Sequence, residues 1–162
     1  METSAPEVIL VAVNGTAESL AALDWATDQA TVRSKRLRII TAYDVATPAT
    51  DGAGGYWNTM IDTETRTRNR IAPVVARRIA NKDVQYEHIV ALGSLTSVLE
   101  SYCSDACLAV IGTRPRKGWR SLFNRSVTKQ LIGTLSCPVV SVTINQARSL
   151  SAVPGTRSET TA

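Results

Sequence analysis

At 162 residues the chain has room for one domain, because single hydrophobic cores typically span about 100 to 200 residues. Its composition, 44% hydrophobic and 20% charged, excludes the apolar-poor, charge-rich signature of disordered chains. The net charge of +4 points to anionic partners, and its distribution along the chain decides where they would bind.

Val8 to Val13 (VILVAV) is a continuous apolar, β-branched run of strand length closed by Asn14-Gly15-Thr16, which predicts a buried strand entering a turn. Thr16 is placed to cap a helix from Ala17 to about Arg33, where Leu20, Leu23, Ala26 and Ala30 recur at three- and four-residue intervals. Leu37 to Tyr43 predicts a second strand. Asp44 to Trp57 then reads as a loop holding Pro48 and the cluster Gly52-Ala53-Gly54-Gly55. A second helix is expected from about Asn58 to Lys82, with Pro73 as a point where it would kink or break.

Val84 to Val90 predicts a third strand, Ser94 the cap of a short helix with Leu95, Val98, Leu99 and Tyr102, and Leu108 to Ile111 a fourth strand. After Gly112 a loop runs to Asn124. A helix near Ser126 with Val127, Leu131 and Leu135 on one stripe follows, then a last strand, Val139 to Ile144. Residues 1–6 and the Ser-, Thr- and Arg-rich tail 145–162 are expected to be disordered.

Strands alternating with helices imply βαβ crossovers, so the expected fold is an α/β, doubly wound, Rossmann-like open parallel sheet of five strands with helices on both faces. Aromatic residues are 5% of the chain, which leaves Val, Ile, Leu and Ala to fill such a core. The polar, acidic start and the lack of an apolar run near 18 residues give no expectation of a signal peptide or membrane anchor. Cys103, Cys107 and Cys137 are an odd number in a chain too large to depend on disulfides, so a reducing, cytoplasmic setting is expected.

In such sheets ligands sit beyond the carboxyl ends of the strands. Two segments fall there: Asn14-Gly15-Thr16 and Gly112 to Thr128. The second holds Arg114, Arg116, Lys117, Arg120 and Arg125 with no acidic residue, more than the whole net charge of the chain. It leads into a helix N-terminus, where free N–H groups and the helix dipole favour anions. The alternative reading of those charges is a solvated basic loop.

The stretches VILVAVNGTAESLAALDWA, LRIITAYD, SDACLAVIGTR and SVTKQLIGTLSCPVVSV resemble the universal stress protein family, over about residues 7 to 144. The resemblance implies a five-stranded doubly wound domain in a cytoplasmic homodimer made under stress or growth arrest. One branch of that family binds ATP and another does not. In the ATP-binding branch an aspartate ends the first strand. Its phosphate loop reads glycine, two residues, glycine, nine residues, then glycine followed by serine or threonine.

Aligned on that pattern, Gly112 and Ser126 match, whereas Pro115 and Arg125 replace the other two glycines and Asn14 replaces the aspartate. The glycines would let the backbone approach phosphate and supply N–H donors, which proline lacks and arginine's bulk hinders. Asn14 retains an amide that both donates and accepts, and Arg114, Lys117 and Arg125 carry charge-assisted donors in place of lost backbone ones. The nucleotide-contacting positions implied by the resemblance are Asn14, Gly15, Ala42, Gly112, Arg114, Lys117, Arg125, Ser126, Val127 and Thr128. ATP binding is expected to be weak or absent.

Other candidates carry less. Gly52-Ala53-Gly54-Gly55 lacks dinucleotide-binding spacing and reads as a flexible loop. His88 has no nucleophile beside it in the strand and reads as structural. Cys103 and Cys107 have too few partners for a zinc site, and Trp119 reads as a loop anchor more readily than as a base-stacking platform. With no general base, nucleophile pair or metal cluster at the strand ends, the expectation is a regulatory protein rather than an enzyme. Dimerisation is expected through the last strand. The competing reading is an interaction module whose basic loop docks an acidic protein partner or, less favoured, RNA.

Overall fold

An apolar strand without polar interruption buries both of its faces, and all five residues of β1 (Val8–Ala12) are buried. It pairs in parallel with β2 (Arg36–Tyr43) on one side and with Ala106–Thr113 on the other. Tyr86–Leu92 is β3, Ala106–Thr113 is β4 and Val139–Thr143 is β5. The strand order is β3-β2-β1-β4-β5, so β3 and β5 are the edges. The computed structural model describes residues 7–45, 53–114 and 125–144, without the side chains of residues 53, 54, 56 and 125–129.

Side chains alternate across the sheet, and each set meets its own pair of helices. Ile9 and Val11 face α1 (Ala17–Val32) and α2 (Ala53–Ile79), packing with Leu23, Ala26, Ile71 and Val75. Leu10 and Ala12 face α3 (Leu95–Tyr102) and α4 (Arg125–Thr134), packing with Val98, Leu99, Leu131 and Leu135. The expected five-stranded sheet with helices on both faces is the observed one.

Polar contacts fasten the ends. Arg38 on β2, with 13% of its side chain exposed, binds both oxygens of Asp105 at 2.5 and 3.1 Å, Glu87 at 2.6 Å and the Tyr102 carbonyl at 3.0 Å. It holds the end of α3 and the turn into β4 against the sheet, at the amino ends of the strands. On the other face Arg78 pairs with Asp24, and Lys82 with Asp28 at 2.7 Å, joining α2 to α1.

Three expectations need correction. The cluster expected as a flexible loop is helical from Ala53 onward, Gly54 and Gly55 included, while Gly52 lies outside the described residues. Low glycine propensity is outweighed because the first half of α2 brings Met60 onto Tyr43, Val45 and Val90. Pro73 does not end the helix either: it lies on the exposed side, where water can satisfy the carbonyl one turn earlier, while Ile71 and Val75 bury the opposite stripe. The third strand starts at Tyr86 rather than Val84, because Val84 is still in a turn, its N–H donating to the Lys82 carbonyl.

Candidate functional site

Strand order reverses between β1 and β4, so the crevice between their carboxyl ends is the switch point where ligands bind in such sheets. The turn after β1 is built by local hydrogen bonds. Gly15 takes φ +87°, a left-handed conformation that strains any residue with a Cβ, and an added Cβ would lie 3.0 Å from Ile71 Cδ1. Thr16 then caps α1 through Ser19 N–H, as expected, at 3.3 Å.

The cap also orients Asn14. Thr16 donates both its N–H, at 3.1 Å, and its hydroxyl, at 2.8 Å, to Asn14 Oδ1. A backbone N–H can only donate, so the amide oxygen must face Thr16. With both lone pairs engaged, the amide offers the crevice its NH₂ donor alone, rather than the donor and acceptor expected from the residue type. Ser19 Oγ accepts from Asn14 N–H at 3.3 Å and donates to the Thr16 carbonyl at 2.9 Å, closing the turn.

On the other side, Gly112 allows β4 to run hard against the first turn of α1: an added Cβ would lie 2.2 Å from the Glu18 carbonyl oxygen. The glycine expected to let a phosphate approach therefore already admits a helix.

Between these walls lies a cavity of about 310 Å³, within the usual range for small-molecule sites. Its floor is apolar, made by Ala12, Ile40, Ala42, Leu95 and Ile111, and its rim carries Asn14, Thr16, Asp44 and Ser94, with Ser19 buried among the lining residues. Asp44 is the one charged side chain among the described lining residues. Ser94 caps α3 at 3.2 Å, so the N-terminus of that helix opens on the same cavity.

The structure thus brings Asn14, Ala42 and Gly112 together, with Gly15 behind Asn14 in the turn. Arg114 does not line this cavity, and its Nε donates to Glu18 Oε1 at 3.1 Å. Arg125, Ser126, Val127 and Thr128 form the first turn of α4, with side chains beyond the description. Pro115, Lys117 and Trp119 lie outside the described residues altogether.

Sequence reading missed Asp44, Gly93, Ser94 and Leu95 as wall residues. The signal was present: Asp44 directly follows a predicted strand, Ser94 is a predicted cap flanked by Gly93 and Leu95, and ligands in such sheets sit beyond the carboxyl ends of the strands.

His88 is half-buried beneath α2. Thr41 donates its hydroxyl proton to the Val13 carbonyl at 2.7 Å, so the 2.9 Å contact between His88 Nε2 and Thr41 Oγ1 must have histidine as donor. Burial, then the nearby Arg68 charge, depresses its pKa, and the neutral ring serves as a strut. All three cysteines are free thiols; burial pushes that of Cys137 up, away from reactivity. Among the described residues no group of His, Cys, Asp and Glu could hold a metal ion, and no helix is long and apolar enough to cross a membrane.

Comparison with known proteins fits this geometry. A universal stress protein family protein from Burkholderia pseudomallei is 23% identical, with a TM-score of 0.61 over 86% of this chain and 97% of its own. A universal stress protein in complex with cAMP is 19% identical, with a TM-score of 0.64 over 86% of this chain and 98% of its own. An Arabidopsis thaliana family protein with AMP bound is 15% identical, with a TM-score of 0.55 over 85% of this chain and 92% of its own. At these identities the likeness speaks for the fold. None of the curated proteins matches the chain. The sequence model of the universal stress protein family matches residues 6–143, which takes in every strand and helix described above, and the chain belongs to that family.

Proposed function

We propose that this chain is a regulatory protein that holds the nucleoside part of an adenine nucleotide in the crevice between Asn14 and Gly112. The observation that carries the reading is the cavity itself: an apolar floor at the switch point, with a fixed amide donor at one wall and hydroxyls around the rim. Purine ring nitrogens and ribose oxygens accept hydrogen bonds, which is what the Asn14 NH₂ group requires. Two family proteins of the same fold bind cAMP and AMP, which supports the ligand class.

The phosphate end is weaker. Gly112 is committed to α1, Arg114 to Glu18, and Asp44 brings negative charge to the rim. Multiply charged nucleotides therefore depend on the Lys117 and Arg125 segment. ATP affinity is low, and the role is regulatory rather than catalytic. A homodimer joined at β5 completes the reading. Pro138 turns its carbonyl to Ala109 of β4, so by alternation the backbone groups of Val139 and Ser141 face the open edge.

The test is to denature a portion of purified protein, identify any released small molecule by mass spectrometry, and titrate ligand-free folded protein with adenosine, AMP, cAMP and ATP by calorimetry. An adenine compound released or bound, with affinity altered in Asn14→Asp, is the expected result. No release and no heat with any of the four would overturn the nucleotide reading and leave docking of an acidic partner on the basic segment.

A further inference from the structure

We propose that Glu18 sets the charge preference of the crevice by holding Arg114 out of it, a proposal that rests on the nucleotide reading above. Alternation along β4 places Arg114 on the same face as Gly112, and the open side of Gly112 abuts the first turn of α1. Glu18 lies in that turn. Its carboxylate accepts from Arg114 Nε at 3.1 Å and is 14% exposed, whereas the arginine side chain is 61% exposed. The anchored partner is thus the glutamate and the movable one the arginine. Backbone hydrogen bonding at Glu18, and then the Arg114 charge, keep this carboxylate below the usual range, so it stays ionised at neutral pH.

Both partners border the cavity without lining it. Ser19, next to Glu18, and Gly112, two residues before Arg114, are wall residues, but neither charged side chain reaches the interior. With Asp44 on the rim, the described crevice presents negative charge, and Arg114, two residues past the wall residue Gly112, is neutralised by pairing. A neutral nucleoside enters without opposition. A polyphosphate meets Asp44, and among the described lining residues no cation offsets it unless Arg114 leaves Glu18. An ion pair this exposed contributes little, so release of Arg114 is easy once its partner is uncharged.

Glu18→Gln keeps the size and removes the charge. The expected outcome is a rise in the ratio of ATP to adenosine affinity of about 3- to 10-fold, the range between a weak exposed pair and one charge-assisted hydrogen bond to phosphate. Arg114→Ala alone should leave that ratio within about 1.5-fold of the unmodified chain, and adding it to Glu18→Gln should abolish the gain, closing a double-mutant cycle. A structural disturbance would move adenosine and ATP together and leave the ratio where it was. Melting curves check that both variants fold.

An unchanged ratio in Glu18→Gln, with adenosine still bound, overturns the proposal and leaves the nucleotide reading intact. A large loss of ATP affinity in Arg114→Ala alone also overturns it, since Arg114 would then already contact phosphate. Adenosine failing to bind any of the proteins removes the nucleotide reading, and the proposal with it.

Discussion

Replacing Gly112 with alanine would put a Cβ 2.2 Å from the Glu18 carbonyl oxygen, 2.3 Å from the Glu18 carbonyl carbon and 2.6 Å from the Ser19 nitrogen. Non-bonded carbon contacts settle near 3.5 to 4.0 Å, so β4 and the first turn of α1 must separate by more than about 1 Å. These obstacles are backbone atoms that no rotamer change removes. The turn that must move is also held by the Thr16 cap, by Asn14 N–H on Ser19 Oγ and by Ser19 Oγ on the Thr16 carbonyl. Overpacking alone costs about 1 to 3 kcal/mol and a disturbed N-cap about 1 more, which together put Gly112→Ala at about 2 to 4 kcal/mol. For a chain of this length each kcal/mol moves the melting temperature by about 2 to 4 °C, so the expected fall is roughly 4 to 16 °C. Calorimetric melting of ligand-free protein reads it. A melting temperature within about 2 °C of the unmodified chain would refute the packing argument and return Gly112 to a role in ligand approach alone.

Three further outcomes are expected. Arg38 hydrogen bonding holds the Asp105 pKa below its ordinary value of 3.8, so this carboxylate stabilises the fold above that pH and less as pH falls through the folded value. The stability difference between the unmodified chain and Asp105→Asn, from urea midpoints, should shrink from about pH 6 to about pH 3; a constant gap would show that the ion pair contributes nothing. Ser141→Pro removes a backbone donor on the open edge of β5 while sparing the β4 ladder, so light scattering should give a monomer. A persisting dimer would place the interface elsewhere. Val142 is unsuited to that test: it is 3% exposed within the monomer's own core, and a charge there would unfold the chain. Restoring the family glycines with Pro115→Gly and Arg125→Gly should raise ATP affinity and reduce its salt dependence, because side-chain cations near solvent are screened over about 8 to 10 Å. Calorimetry at two salt concentrations decides it, and tight, salt-insensitive binding by the unmodified chain would contradict the reasoning.

The elements were legible because their signals are local. The run from Val8 has no polar break, Thr16 and Ser94 stand where capping oxygens are needed, and Leu131 and Leu135 share one helical stripe. From such pieces the alternation of strand and helix follows, and with it the parallel sheet. The limits of β3 were less legible, because pairing with β2 from Leu37↔Tyr86 to Tyr43↔Leu92 sets them, and a partner strand is not visible in a strand's own residues. The helical start of α2 ran against glycine propensity because Met60 gains a distant apolar seat.

The site divides in the same way. Sequence by itself determined the fold class, the family, and the places of Asn14 and Gly112 at strand ends, since each depends on residue type and spacing along one chain. Only the tertiary structure decided that Thr16 takes the acceptor of Asn14, that Gly112 admits α1, and that Arg114 is held by Glu18, 96 residues away. Hydrogen-bond valence, steric contact and charge pairing are settled between atoms that meet in space, and no spacing along the chain encodes that meeting.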